Sequence, residues 1–281
     1  MSFHRANLHL VGAALVLGTA VFCAGCSVPE GRQPTDDHPV VVTVQAVPEA
    51  AAPGESVTLV VRFALAEGWH LYWAGRNDSG FPPRIDLELP PGWLAGGLQW
   101  PAPERHVAPG DILDHVYFNE LVLIQKLGAP ADAAVGHPVE IKAHIQWLAC
   151  RDMCVPGRAD FTVPLAVQAR VDVPDPDLAA EAAARLPGPL PARTLEAAWE
   201  GATFHLHGPR ARRLTFMPTD DCGPLVDLLQ DGRGERLALR FKPQSDTVGP
   251  VRGLITMDFD GSPSVTYRLD YPAVLLETAA P

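Results

Sequence analysis

Cysteine is scarce in this chain of 281 residues: Cys23, Cys26, Cys150, Cys154 and Cys222 are all there are. A scaffold stapled by disulfides carries more cysteines in a shorter chain, so this fold has to rest on an apolar core. Basic residues are in deficit too, with 22 Lys and Arg against 33 Asp and Glu and a formal net charge of -11. That balance excludes nucleic acid as a natural partner and argues against charge-driven binding to anionic lipid. Beyond the N-terminal region, no apolar run approaches the roughly 20 residues of a membrane span. A glycine-rich phosphate loop, a Ser-His-Asp arrangement and a helical zinc signature are all missing. No cofactor and no resident metal are expected.

What is abundant is apolar residues and turn formers. The apolar fraction is 47%, with 29 prolines and 24 glycines. That mixture suits many short strands joined by turns better than long helices. β-Branched or alternating runs recur at Val40–Val47, Ser56–Leu65, Trp69–Trp73, Arg84–Leu89, Leu121–Gln125, Val139–Trp147 and Ala159–Leu165. Alternation of apolar and polar residues is the pattern of half-buried antiparallel strands. The expected fold is all-β: an immunoglobulin-like β-sandwich over residues 40–172, then a second, smaller β-rich domain over 193–281.

The N-terminus sets the compartment. Arg5 is followed by an apolar run from Leu8 to Phe22, too short for a comfortable span and suited to a signal-peptide core. It ends at Cys23-Ala24-Gly25-Cys26, which resembles the bacterial lipobox, where the cysteine is acylated and becomes the new N-terminus. The usual pattern has Leu three residues earlier, where Cys23 stands here. The expectation is a lipoprotein signal peptide over 1–25, lipidation of Cys26, and a flexible, proline-rich tether over 26–39. The mature chain is then a periplasmic body anchored by lipid. Ser27, a non-acidic residue after the cysteine, weakly favours the outer membrane.

The informative stretch is Gln146-Trp147-Leu148-Ala149-Cys150-Arg151-Asp152-Met153-Cys154-Val155-Pro156. Removal of Cys23 and acylation of Cys26 leave Cys150, Cys154 and Cys222, so one local pair plus one leftover is the simplest partition. In an exported chain the pair is a structural staple, a metal clip or a redox centre. A bridge this short closes a very small loop and stabilises less than a long one, which weakens the staple. Two thiolates bind soft metal, but no histidine stands at ligand spacing beside them in sequence. Exchange chemistry needs an accessible, somewhat acidic thiol. Arg151 favours thiolate and Asp152 opposes it. Trp147 and Pro156 stiffen the flanks.

Several motifs occur in one order. They are Gly68-Trp69-His70-Leu71-Tyr72-Trp73, Asn77-Asp78-Ser79-Gly80-Phe81-Pro82-Pro83, Gln99-Trp100-Pro101-Ala102-Pro103-Glu104-Arg105, and Cys150-Arg151-Asp152-Met153-Cys154-Val155-Pro156. This combination, over roughly residues 40 to 170, resembles the periplasmic N-terminal domain of the thiol:disulfide interchange protein DsbD and its relatives linked to copper tolerance. The resemblance implies an immunoglobulin-like sandwich in which Cys150 and Cys154 pass electrons. They arrive from a membrane-embedded thiol reductase, expected here to be a separate protein, and leave to periplasmic thiol proteins. It also implies an aromatic-bearing cap over the disulfide, for which His115-Val116-Tyr117-Phe118-Asn119 is the candidate, with Tyr117 or Phe118 as the capping ring. The runner-up is a non-catalytic lipoprotein that handles copper or docks a partner and keeps a structural disulfide.

The second half carries no motif of function. Asp172-Val173-Pro174-Asp175-Pro176-Asp177 ends the first domain, and a linker over 173–192 holds a short helix from Leu178 to Arg185. Strand-like runs follow at Thr203–His207, Arg213–Met217, Arg236–Phe241, Gly253–Phe259 and Ser264–Leu269. Cys222 follows Asp220 and Asp221, which raise a thiol's pKa, and is expected to be an incidental or buried thiol.

Overall fold

The computed structural model describes residues 33–172, 178–229 and 232–276. The expected leader, Cys26 and the first part of the tether lie outside the described residues. So do 173–177, where the first domain was expected to end.

Two sheets build the first part. One holds β1 (Val40–Val47), β3 (Ser56–Leu65), β9 (Glu120–Gly128) and β6 (Leu94–Ala95), in that order across the sheet. The other runs β2 (Ala50–Ala51), β11 (Cys154–Val167), β10 (Val139–Cys150), β4 (His70–Tyr72), β8 (Ile112–Phe118) and β7 (Glu104–Ala108). A further strand, β5 (Arg84–Glu88), also pairs with β10. The inward residues of both sheets make one core, with Leu59, Phe63, Leu121, Leu123, Ile141 and Ile145 at its centre. Burying each such side chain stabilises the fold by about 1.5–3 kcal/mol. This is the expected β-sandwich.

The helix α1 (Leu178–Ala184) lays Ala182, with Leu178 and Ala179 at its edge, on Val60, Val122 and Ile124 of β3 and β9. The stretch expected as linker then supplies β12 (Gly188–Pro189), a parallel edge strand of the next sheet. That second part is an eight-stranded sheet in the order β12, β20 (Ser262–Tyr271), β19 (Val251–Phe259), β15 (Arg213–Pro218), β16 (Gly232–Arg233), β17 (Arg236–Arg240), β14 (Thr203–His207) and β13 (Glu196–Glu200). A small pair, β18 (Thr247–Val248) with β21 (Val274–Leu275), sits apart. Its own core gathers Phe204, Leu206, Leu214, Ile255 and Met257.

The two parts touch through specific contacts. Met217 and Leu254 join the core of the first part. Arg76 donates from Nη2 to the Cys222 carbonyl at 2.8 Å, and its backbone N–H donates to Pro218 at 2.9 Å. Arg105 donates to the Leu229 carbonyl at 2.7 Å. Cys222 is buried in the second core, and that burial, more than the neighbouring acids, raises its thiol pKa.

β10 and β11 form the longest hairpin, paired without a break from Val139↔Leu165 to Cys150↔Cys154. Within it Trp147 faces Gly157, and its ring meets Phe63 edge-on at a centroid distance of 6.0 Å. A Cβ at residue 157 would stand 2.2 Å from the Trp147 ring. The glycine is therefore what lets the indole lie flat across the hairpin. Gly157→Ala should lower the free energy of unfolding by about 1–3 kcal/mol through forced displacement of that ring. Urea unfolding followed by tryptophan fluorescence measures this. An unchanged midpoint would mean the indole swings aside freely.

Candidate functional site

The hairpin register delivers the cysteines. Cys150 closes β10 and Cys154 opens β11, directly opposite each other, with Arg151-Asp152-Met153 as the connection. Their Cα atoms are 4.1 Å apart and the sulfurs are bonded. The Arg151 N–H donates to the Met153 carbonyl at 3.1 Å and tightens the turn. Exposure divides the pair. Cys150 is only 3% exposed, whereas Cys154 is exposed and Met153 beside it is 69% exposed.

Side chains alternate across the sheet. On β10, Ile141, Ala143, Ile145 and Ala149 face the core, so Cys150 faces away from it. The same alternation sorts the aromatic run around β4: Trp69, Leu71 and Trp73 enter the core, and His70 and Tyr72 share the cysteine face. Cross-strand pairing then sets Cys154, Cys150, His70 and Phe118 in one row over four adjacent strands. Cys150 packs against Tyr72 and Val116, with Phe118 and Leu148 at the edge. The His70 ring lies 5.2 Å from Tyr72, 5.5 Å from Phe118 and 5.6 Å from His106, centroid to centroid. Its Nε2 is 3.4 Å from the Tyr72 hydroxyl. Burial, and secondarily His106, holds the His70 pKa below the ordinary value of 6.5, so the imidazole is neutral at pH 7.

The Asn77–Gly80 motif completes this face. β4 ends at Tyr72, and the side chains beyond it continue the ladder along β8. Asn77 Oδ1 accepts from the His115 N–H and Asp78 Oδ2 from the Leu113 N–H, both at 2.7 Å. Buried Asp114 in turn accepts from the Ser79 N–H at 2.8 Å and the Ser79 hydroxyl at 2.6 Å. Gly80, at φ 64°, passes over the Tyr72 ring so closely that a Cβ would stand 2.1 Å from it. Phe81 follows, 73% exposed.

The residues expected at the site fall in different places. Phe118 is in the cysteine row. Tyr117, its neighbour on the opposite face, is buried in the sandwich core, stacks on Trp100 at 6.4 Å and donates to the Pro101 carbonyl at 2.8 Å. The segment expected as a cap loop is strand β8, with Asn119 at φ 62° turning the chain into β9. Trp147 also lies on the core side, away from the sulfurs. Arg151 donates to Asp36 at 2.8 Å and to Asp152 at 3.3 Å, and its guanidinium sits 5.1 Å from the Trp69 ring centroid. Trp69 Nε1 donates to the same Asp36 carboxylate at 3.3 Å. The end of the expected tether, carrying Asp36, is thus clasped to the cysteine turn. His70, Tyr72 and His106 were absent from the expected site. Their signal was the even spacing that places His70 and Tyr72 on the face opposite three core side chains.

Residues 38–166 match the family model described as thiol:disulfide interchange protein DsbD, N-terminal. Among curated proteins, none matches the chain in sequence. The crystal structure of the N-terminal periplasmic domain of ScsB from Proteus mirabilis is similar over 85% of this chain and 96% of its own, at TM-score 0.54 and 15% identity. At that identity the likeness concerns the fold alone, and its coverage takes in both parts. The reduced DsbD N-terminal domain from Neisseria meningitidis aligns over 46% of this chain and 87% of its own, at 21% identity and TM-score 0.29. The family match thus runs from the segment before β1 to nearly the end of β11.

Proposed function

We propose that this chain is a periplasmic thiol–disulfide exchange module that relays electrons through Cys150 and Cys154. The observation that carries the reading is the division of the pair: one sulfur exposed at a hairpin tip, the other buried beneath Tyr72, Val116 and Phe118. Exchange runs through a mixed disulfide, so one sulfur must meet a partner and the other must stay within reach to release it. Cys154 takes the first role and Cys150 the second. When the disulfide is reduced, a partner thiolate attacks Cys154 Sγ and the Sγ–Sγ bond breaks toward Cys150. A second partner thiol then releases Cys154. When the dithiol acts, the steps reverse and a client disulfide gains two electrons. The donor is a membrane-embedded thiol reductase and the clients are periplasmic thiol proteins. Support comes from the DsbD N-terminal family match and from the exposed Met153 and Phe81, apolar contacts for a partner. Among the described residues no helix is long and apolar enough to cross a membrane. Attachment to the bilayer, at the outer membrane, is assigned to acylated Cys26.

In the periplasm, Cys150→Ser should accumulate mixed disulfides at Cys154, and Cys154→Ser should yield few, because the remaining thiol is buried. Diagonal non-reducing electrophoresis reads this. Absence of adducts in both variants would sink the relay. The reduction potential of the pair, measured against glutathione, should lie above about -300 mV, since a lower value marks an inert structural disulfide. Cys26→Ala should shift the protein from the membrane to the soluble periplasmic fraction. A protein that stays with the membrane would overturn the lipid anchor.

A further inference from the structure

The exchange reading leaves one step without an agent. Cys150 is almost fully covered by apolar and aromatic side chains, and burial of that kind holds a thiol in its protonated, unreactive form. To resolve a mixed disulfide at Cys154 it must lose that proton where water has little access. A base has to stand on the same face of the sheet. The titratable groups nearest Cys150 on that face are Tyr72 on β4, Cys154 on β11, Asp114 on β8, Glu104 and His106 on β7, and His70 itself. Glu140, Lys142, His144, Arg158, Asp160 and the β5 side chains Arg84, Asp86 and Glu88 share the face but stand four or more residues farther along the hairpin. Tyr72 is a phenol whose pKa burial raises further, so it does not serve as a base. Asp114 is held by two Ser79 donors, and Glu104 is exposed across from Val116. His70 remains. It is the direct cross-strand neighbour of Cys150, a position that brings Cβ atoms to about 4.5–5.5 Å. Its ring touches two of the rings that cover Cys150. Its Nε2 meets the Tyr72 hydroxyl, and Nδ1 has no hydrogen-bond partner among the described residues. His106, half-buried, connects it toward solvent.

We propose that His70 is the proton carrier of the cysteine pair, an inference that rests on the exchange reading above. With Cys154 joined to a client sulfur, the Cys150 S–H proton passes to the His70 imidazole. Cys150 Sγ then bonds Cys154 Sγ, the Cys154–client S–S bond breaks, and the client leaves as a thiolate that receives the proton. Two electrons pass from the pair to the client, and His70 returns to its neutral form.

The test uses the reduced full chain and the chromogenic aryl disulfide DTNB. The wild type should release one chromophore in a bimolecular step as Cys154 is captured, and a second in a first-order step as Cys150 closes the disulfide. His70→Phe keeps the packing and removes the base. It should leave the first step within about twofold and slow the second by about tenfold or more. In the wild type the second step should fall as pH drops through the titration of His70, below its ordinary 6.5. That inflection should be missing from His70→Phe. In His70→Ala, added imidazole should restore the second step. An unchanged second step in His70→Phe would overturn the proposal. So would equal slowing of both steps with no rescue by imidazole, the mark of a purely structural role. A wild type that never releases the second chromophore would instead defeat the exchange reading itself.

Discussion

The site depends first on the register of one hairpin. β10 and β11 pair continuously, and the last pair is Cys150 with Cys154. Because side chains alternate with period two, a slip of one residue would turn Cys150 into the core and Ile145 out of it. The buried residues Ile141, Ala143, Ile145 and Ala149 fix the register, and through it they place the sulfurs side by side on the outer face. The core and the disulfide are therefore placed by the same strand read in two parities.

The outer face is built with unusual economy of backbone. β4 is only three residues long, too short to hold β8 alone. Asn77 and Asp78 supply acceptors where a longer strand would have supplied carbonyls, and Asp114 ties the loop down through Ser79. Arg76 of the same loop donates to the second part at Cys222. The contact makes the second part a support for the cover of the disulfide as well as a neighbour of it. It also gives physical content to a motif that the sequence shows only as a string of turn residues.

Much of this was legible from pattern. Val40–Val47, a β-branched run, and Ser56–Leu65, which alternates but for Val60, became β1 and β3 with those bounds. The start of β11 was hidden by Pro156 and Gly157. Proline is tolerated there because β11 pairs on that side only with β2, at Ala166 and Val167, so its edge near Pro156 is open. β8 was hidden for the opposite reason. Leu113 to Tyr117 are buried on both faces, so no alternation marks a strand. The site was legible in its chemistry and not in its surroundings. The cysteine spacing pointed to the two sulfurs that the hairpin bonds. The row that joins Cys150 to His70 exists only across a strand pairing separated by eighty residues of sequence.

Asp36 lies at the far end of the chain from the hairpin and yet touches its tip, held by Arg151 and Trp69. The chain therefore enters the folded body beside the sulfurs and not at the opposite pole. Asp36 ties this segment to the cysteine turn through a charged contact that salt weakens. The segment around Asp36 and the cysteine turn share one corner of the first part, and any molecule that reaches Cys154 meets both.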